Sequence, residues 1–291
     1  MRRELYEMLA ALAEKDPSVI LVVADLGTFG TFRSRFPARF INVGVAEPNS
    51  AGIAAGLASQ GKRVFLYGVA GFTLYRAFEQ IKFSIGYWNQ RVCIIGTGFG
   101  WRYYQMGRGH HAADDVAVMR LVPNMRVFAP VDTDSLSGIL SREPSGPCYI
   151  RIGEGLGDES FRCLPTSGSD AVVVALGEMA RQCSAAVGAL RNEGVDVGLV
   201  AIEELRVEHV REKLASAAQT CRIIVVEDHV AIGGLGSIVR DAGFPIAKHV
   251  HLPTDVDTVT HSRAALLQHY GFDTRTIQND ILSCLNSKPS M

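Results

Sequence analysis

Nine short, almost purely apolar runs constrain the fold of this chain more than any other feature of its sequence. They read ILVVADL, FINVGV, VFLYGV, VCIIGTG, RVFAPV, CYIRIG, AVVVALG, VDVGLVAI and RIIVVED. Because their apolar residues are continuous rather than alternating, they are typical of strands covered on both faces. Segments with helical spacing lie between many of them, such as the one that carries Phe78, Ile81 and Ile85. This alternation predicts an α/β fold with mostly parallel sheets.

A change in composition divides this pattern into two parts. Residues 153–170, GEGLGDESFRCLPTSGSD, are rich in glycine, serine and acidic residues and poor in periodic apolar positions. The alternation of strands and helices starts again after this stretch. We therefore expect two α/β domains, residues 1–160 and residues 168–291, each of ordinary domain size.

Charge and cysteine usage exclude several functional classes. The chain has 29 Lys and Arg against 30 Asp and Glu, without long blocks of one sign, so neither nucleic acid nor a membrane surface is an expected partner. Its six cysteines are scattered without a C-x-x-C pair, which favours buried thiols in a reducing compartment over disulfides or zinc. No apolar run approaches the roughly 18 residues of a membrane span, and the start carries glutamates within its apolar pattern. These features predict a soluble, cytoplasmic protein that binds small molecules.

Glu47 stands at the junction of an expected strand and an expected helix. It follows the apolar residues 41–45, and Pro48 suits the first turn of a helix because its missing N–H would be unpaired there. The helix continues with many alanines and glycines, which permit close approach of another backbone or of a cofactor. Taken alone, an acidic residue that favours the helix start is the better interpretation of Glu47.

The region around Glu47 also resembles a known family. The run VVADLGTFGTFRSRFPARFINVGVAEPNSAGIAAGLASQGKRVF is similar to the pyrimidine-binding domain of thiamine diphosphate enzymes. The similarity is strongest to the carboxyl-terminal subunit of split transketolases and to the matching part of deoxyxylulose phosphate synthases. YRAFEQIKFSIGY, GHHAADDVAVMRLVPNMRVFAPVD, CYIRIG and EDHVAIGGLGSIV have counterparts in the same order, so the resemblance spans almost the whole chain. It implies a pyrimidine-binding domain followed by a transketolase carboxyl-terminal-like domain.

The resemblance implies roles for three residues. Glu47 matches the glutamate that hydrogen-bonds N1′ of the cofactor aminopyrimidine and thereby promotes loss of the thiazolium proton. Phe72 matches the aromatic residue that stacks on the aminopyrimidine, whereas an ordinary core position is the alternative. His110 matches the histidine that donates hydrogen bonds to oxygens of the substrate or intermediate, and an imidazole can both give and take up a proton. His111 replaces the glutamine that follows this histidine in the family, and it is a candidate residue of the substrate site that would support His110.

Departures from the family pattern concern the expected substrate. Transketolases acting on sugar phosphates usually carry a histidine at the position of Gly98 and an aspartate at the position of Met106. A methionine cannot accept a strong hydrogen bond, so we expect a donor or acceptor other than the usual pentose and hexose phosphates. The same loop offers aromatic residues and also Arg102 and Arg108, which suit an anion.

Two further positions, Arg151 and Asp25, keep two interpretations each, and a third, Glu227, keeps one. Arg151 matches a family arginine that binds substrate phosphate, and an ion pair at a strand end is equally compatible with its sequence. Asp25 follows the first strand at the edge where α/β sheets place ligands, and a turn cap explains it as well. Glu227, in EDHVAIGGLG, lacks the spacing of a dinucleotide site and is expected to be structural.

One part of a thiamine diphosphate site is missing from the sequence. The family holds the cofactor diphosphate through a divalent metal bound by a G-D-G motif that is followed some twenty residues on by an asparagine, and no such motif occurs in this sequence. Because magnesium needs such oxygen ligands, we expect Mg²⁺ and the diphosphate to be held by an amino-terminal partner subunit. By analogy with split members, the assembly is expected to be a heterotetramer with two copies of each chain.

These observations predict a subunit of a two-chain transketolase-like enzyme that moves a two-carbon ketol or acyl unit on thiamine diphosphate. The alternative enzyme is the beta chain of a 2-oxo acid dehydrogenase, which has the same domain order; the GGLGS segment and the VMRLVPNMRVFAP run favour transketolase. A non-catalytic assembly subunit is the alternative of another class. A dehydrogenase that acts alone is a weaker third possibility.

Overall fold

All nine apolar runs form strands in the computed structural model, which describes residues 2–26, 29–142, 145–153, 160–166, 169–215, 222–256 and 262–286. The chain divides into two compact units, Met1–Ser160 and Phe161–Met291. The prediction of two α/β domains is therefore confirmed. The proposed limits 1–160 and 168–291 stay a prediction, and residues 154–159 and 167–168 of the boundary stretch lie outside the described residues.

Each unit contains one parallel sheet. The strands are β1 (Val19–Val23), β2 (Phe40–Asn42), β3 (Arg63–Val69), β4 (Val92–Thr97), β5 (Arg126–Phe128), β6 (Cys148–Ile152), β7 (Ala171–Leu176), β8 (Val197–Ile202), β9 (Arg222–Val230) and β10 (Ile246–Leu252). The first unit has the strand order β2-β1-β3-β4-β6-β5, and the second has β10-β9-β7-β8. Every pair of neighbouring strands in these two sheets is parallel.

Helices connect the strands, as the periodicity predicts. They are α1 (Arg2–Lys15), α2 (Gly30–Arg35), α3 (Glu47–Ser59), α4 (Ala70–Arg76), α5 (Phe78–Gln80), α6 (Asp115–Arg120), α7 (Thr133–Ser141), α8 (Met179–Asn192), α9 (Val207–Leu214), α10 (Leu235–Asp241), α11 (Arg263–His269) and α12 (Thr274–Asn286). A π-helical segment, Ile81–Tyr87, continues α5 and carries the expected buried face at Ile81 and Ile85. None of the helices that the structure describes has the length and hydropathy needed to cross a bilayer.

The strands form the core because their apolar runs are covered on both faces. Every residue of β1, β4, β6, β7 and β8 is buried, as a continuous apolar run predicts. Strand β10 has no counterpart among the nine predicted runs. It lies at a sheet edge and combines exposed residues such as Lys248 with buried ones such as Val250, so it lacks the signal of a fully buried strand.

The strand order of the first unit creates a switch point between β1 and β3. The chain passes from β1 to β2 on one side and then returns through α3 to β3 on the other side of β1. In open α/β sheets, ligands bind outside the carboxyl ends of the strands at such a reversal. The topology therefore directs attention to the residues that follow β1, β2 and β3.

In the second unit, Glu227 caps a helix. Its carboxylate accepts hydrogen bonds from the backbone N–H groups of Leu235 at 2.6 Å and Gly236 at 2.9 Å, at the start of α10. Nε2 of His249 lies 2.6 Å from the same carboxylate. Because the start of a helix favours a negative charge, this buried glutamate stabilises the turn that the GGLG sequence forms. These contacts favour the structural interpretation of Glu227.

The described cysteines are free thiols. Cys93, Cys148, Cys183 and Cys284 are buried, Cys163 is exposed, and Cys221 lies outside the described residues. Cys93 and Cys148 are register neighbours on β4 and β6, and the hydrogen bond between them, followed by burial, raises the pKa of Cys93 well above its usual range. The expectation of buried thiols thus holds for four of these residues and not for Cys163.

Candidate functional site

A cleft of ≈ 260 Å³ lies at the switch point of the first sheet. Its lining residues all follow the carboxyl ends of three strands, namely Ala24, Asp25 and Leu26 after β1, Val45 and Glu47 after β2, and Val69, Phe72, Thr73 and Arg76 at the end of β3 and on α4. Parallel strands bring these separate segments to one edge. The cleft contains three of the predicted site residues, Asp25, Glu47 and Phe72.

Glu47 is buried at the first position of α3. Its side chain is 8% exposed, and the backbone carbonyl accepts a hydrogen bond of 2.7 Å from the hydroxyl of Ser50 in the next turn. Nη1 of Arg76 lies 3.1 Å from Oε1 of Glu47. The helix start and this guanidinium both place positive potential next to a carboxylate that has little contact with water. Glu47 therefore presents a buried acceptor to the cleft.

Arg76 lies in the YRAFEQIKFSIGY segment, and no role was predicted for it from the sequence. Its guanidinium carbon lies 4.5 Å from the centre of the Phe72 ring, and its side chain is 50% exposed. It thus contacts both the carboxylate and the aromatic face of the cleft. The sequence signal for this contact is the spacing of the two residues: Phe72 and Arg76 are four positions apart, so they share one face of α4.

His110 lies next to Phe72 although the two are far apart in sequence. The ring centres are 4.8 Å apart with an angle of 64° between the planes. Helix α4 lies close to the loop that carries His110 and His111. A Cβ added to Gly71 would be only 3.0 Å from the backbone oxygen of His111. Within the described part of the chain, Nδ1 of His110 is buried without a hydrogen-bond partner. His111 is buried beside it.

The loop that carries His110 is closed by a short bridge. The N–H of Gly100 donates to the carbonyl of Ala112 at 2.8 Å, and the N–H of Ala112 donates to the carbonyl of Gly100 at 3.0 Å. Phe99, just before the loop, and Trp101, within it, are buried. The bridge joins the two ends of the loop formed by residues 100–112. Within this loop, the ring centres of Tyr103 and His110 are 6.4 Å apart.

Gly98 is at the start of this loop, and its space is filled by Tyr103. The backbone of Gly98 has φ +79°, and a Cβ there would lie 2.2 Å from Cε2 of Tyr103. Met106 is 62% exposed, and the guanidinium of Arg102 lies 4.9 Å from the centre of the Phe99 ring. Neither Met106 nor Arg102 is among the residues that line the cleft.

Asp25 lies at the mouth of the cleft. It has a left-handed backbone, φ 52°, and its side chain is exposed. The N–H groups of Asp25 and Gly44 both donate to Oδ1 of Asn42 at 3.0 Å, so that amide joins the turns after β1 and β2. The carboxylate of Asp25 takes no part in this connection, and both interpretations of the residue, ligand contact and turn cap, stay predictions.

Arg151 lies away from the cleft lining, inside the first sheet. It is 2% exposed, and its Nε donates to Oδ2 of the fully buried Asp115 at 3.1 Å. The hydroxyl of Tyr149 donates to the same oxygen at 2.7 Å, and burial, followed by the charge of Asp115, raises the pKa of Tyr149 well above its usual range. The guanidinium also lies 3.9 Å from the centre of the Phe99 ring. This position favours the ion-pair interpretation of Arg151 over phosphate binding.

The described residues contain no group of three or more His, Cys, Asp or Glu side chains arranged to hold a metal ion. The site therefore consists of a buried carboxylate, an aromatic face, a nearby imidazole and an arginine. Together they can accept a hydrogen bond from a ring nitrogen, stack on a flat heterocycle and donate to a substrate oxygen.

Comparisons with known proteins cover both units. Residues 1–158 match the family described as transketolase, pyrimidine binding domain, and residues 163–277 match transketolase, C-terminal domain. The chain is 31% identical over 295 residues to one of the subunits of an apulose-4-phosphate transketolase of Phocaeicola vulgatus, with 95% of this chain and 94% of the relative covered. It is 32% identical over 303 residues to a putative transketolase C-terminal section of Methanocaldococcus jannaschii, with 97% and 95% covered.

A solved structure described as a split gene transketolase, inactive beta4 tetramer, is similar throughout. The two chains are 32% identical, 98% of this chain and 97% of the other are covered, and the TM-score is 0.82.

Proposed function

The chain belongs to the transketolase family, and from this premise we propose that it is the pyrimidine-binding subunit of a two-chain, thiamine diphosphate-dependent enzyme. The enzyme transfers a two-carbon ketol unit from a ketose or 2-oxo donor to an aldehyde acceptor. One observation carries the proposal: Glu47 and Phe72 face one cleft, and His110 contacts the ring of Phe72 from the adjoining loop. These three side chains match the three functions that such a site needs: a hydrogen bond to the edge of the cofactor ring, stacking on its face, and hydrogen bonds to substrate oxygens.

The cleft fits the aminopyrimidine end of the cofactor. A cleft of ≈ 260 Å³ with a buried acceptor and an aromatic wall suits a flat heterocycle with a hydrogen-bonding edge. Glu47 would hold the ring nitrogen N1′, and Phe72 would stack on the ring face. Asp25 lines the same cleft and is a further candidate contact. When bound, thiamine diphosphate supplies the nucleophilic carbon that takes up the two-carbon unit.

Glu47, Phe72 and His110 have separate roles in the proposed reaction. Glu47 shares a proton with the ring edge, and its burial keeps water from competing for that hydrogen bond. Phe72 sets the plane of the ring. His110 donates hydrogen bonds to donor oxygens and moves protons at its imidazole. Arg76 contacts both the Glu47 carboxylate and the Phe72 ring, so a bound aminopyrimidine ring would compete with these contacts of Arg76.

The substrate departs from the usual sugar phosphates in this proposal, because Gly98 and Met106 replace polar side chains. Arg102 and Arg108 remain the loop cations for an anionic substrate, and His111 supports His110 from a buried position. The name of the Phocaeicola vulgatus relative contains apulose-4-phosphate. Phosphorylated ketoses therefore belong among the first donors to test.

The proposal includes an amino-terminal partner subunit that holds the diphosphate and Mg²⁺, in an assembly of two copies of each chain. The Phocaeicola vulgatus relative is named as one subunit of its transketolase, which supports a second type of chain. The inactive tetramer described for a split gene relative supports a requirement for that second chain in activity. The cofactor would then lie between two polypeptides, with its aminopyrimidine end on this chain.

Reconstitution tests the proposal. This chain is mixed with its partner subunit, thiamine diphosphate and Mg²⁺, and ketol transfer from hydroxypyruvate to an aldehyde is followed by product formation. We expect turnover in the complete mixture and none when either chain is omitted. Transfer of the acyl unit to a lipoyl domain instead of an aldehyde would contradict the transketolase proposal and support a 2-oxo acid dehydrogenase.

A further inference from the structure

Asn42 connects two turns that lead into the cleft. It is the last residue of β2, and its side-chain oxygen Oδ1 accepts hydrogen bonds from the backbone N–H groups of Asp25 and Gly44, both at 3.0 Å. Asp25 lines the cleft itself, and Gly44 directly precedes the lining residue Val45. A single amide oxygen therefore joins the segment after β1 to the segment that leads to Glu47.

The two residues that donate to Asn42 both have a left-handed backbone. Asp25 has φ +52° and Gly44 has φ +71°. For a residue other than glycine this conformation costs free energy, and it persists only where surrounding contacts hold the backbone in place. The hydrogen bond to Asn42 is such a contact for Asp25. Asn42 therefore stabilises the turn conformation that places Asp25 at the mouth of the cleft.

The turn after β2 is attached to the rest of the sheet by a short strand. Strand β2 has three residues, lies at the sheet edge and pairs with β1. The N–H of Val43 extends this pairing by donating to the carbonyl of Val23 at 3.0 Å. Helix α3 then begins after Ala46 without a hydrogen bond from a capping side chain, although such a cap usually fixes the start of a helix. The bonds of Asn42 therefore add substantially to what holds this turn next to β1.

We propose that Asn42 is a positioning residue that holds the cleft in the shape that binds the aminopyrimidine ring. This inference rests on the proposed function, in which Glu47 and Asp25 line the binding site of that ring. An amide oxygen suits the role because it has two lone pairs and can accept two hydrogen bonds at once. A site that is formed before binding loses less conformational entropy when the ligand binds. Asn42 should therefore act on the affinity for the cofactor and little on the reaction of the bound cofactor.

The test measures the affinity for thiamine diphosphate of the complex between this chain and its partner subunit, in the presence of Mg²⁺. Asn42→Leu keeps the approximate size of the side chain but removes the acceptor oxygen, and its Kd in calorimetry is expected to rise about tenfold. Asn42→Asp keeps an acceptor oxygen in the same place, and its Kd is expected to stay within about threefold of the wild-type value. At saturating cofactor, kcat for ketol transfer should stay within about threefold in both variants.

Two controls distinguish a positioning role from a role in folding. Urea unfolding of the isolated chain should give a midpoint for Asn42→Leu close to that of the wild type. The hydrogen bonds of Asp25 and Gly44 to Asn42 are exposed, so water can replace the lost acceptor. Asn192→Leu makes the same chemical change at an exposed position at the end of α8, and it should alter neither cofactor affinity nor stability.

The outcomes separate this inference from the proposed function. If the wild-type complex binds no thiamine diphosphate, the proposed function is wrong and the inference is wrong with it. If the wild type binds the cofactor and Asn42→Leu has the same Kd, only the inference is overturned. Equal weakening by Asn42→Leu and Asn42→Asp also overturns it, because the acceptor oxygen would then not matter. A loss of affinity that accompanies a loss of stability overturns it as well, since a purely structural role of Asn42 has that effect.

Discussion

Replacing Glu47 by glutamine separates the catalytic role of this residue from its structural one. Glutamine keeps the size of the side chain but removes its charge and its ability to share a proton. The fold should tolerate the change. The carbonyl that accepts the Ser50 hydrogen bond belongs to the backbone, and the ion pair with Arg76 is formed by a partner that is 50% exposed. Such pairs contribute only about 0–1 kcal/mol to the free energy of unfolding.

Activity should respond much more strongly. Proton transfer by a positioned side chain contributes about 10²–10⁴ to a rate, which equals about 2.7–5.5 kcal/mol of activation free energy. We therefore expect Glu47→Gln to lower ketol transfer by at least two orders of magnitude while the unfolding free energy changes by less than about 1 kcal/mol.

The assay combines urea unfolding of the isolated chain with steady-state rates of the complex. Glu79→Gln is the matched control, because this glutamate is exposed on the neighbouring α5 and should affect neither quantity. Activity of Glu47→Gln within about twofold of the wild type would refute the assignment, since a positioned acid or base typically contributes about 10²-fold or more. A parallel loss of stability and activity would show that Glu47 is structural.

Three other predictions concern different parts of the chain. Asp115→Ala should lower the free energy of unfolding by about 3–5 kcal/mol in urea titrations because it leaves buried Arg151 without its carboxylate, and adding Arg151→Met should restore part of the loss. Burial raises the pKa of Cys183 to about 12, so only about 10⁻⁴ of its side chain is thiolate at pH 8. A thiol reagent should therefore modify the exposed Cys163 first, and Cys163→Ser should abolish that reaction. Early modification of Cys183 would contradict its burial. Arg76→Gln should tighten thiamine diphosphate binding to the complex by about 3–10-fold in calorimetry, because a competing ion pair and cation–π contact are lost; weaker binding would instead make Arg76 a cofactor ligand.

Much of the architecture was accessible from the sequence because it depends on local patterns. Continuous apolar runs predicted nine of the ten described strands, since a strand covered on both faces needs apolar residues at successive positions. The edge strand β10 escaped this signal because it is half exposed. Glu47 was likewise accessible, as an acid between a strand and a helix that carries Pro48. The family resemblance then attached Phe72 and His110 to it.

The sequence by itself therefore determined the two parallel sheets, the start of α3 at Glu47 and the membership in a family. Only the tertiary structure decided that Arg76 pairs with Glu47, that Arg151 pairs internally with Asp115, and that Tyr103 fills the space beside Gly98. The physical reason is that hydrophobic periodicity arises within one segment, whereas these contacts join segments whose approach depends on strand order and loop closure.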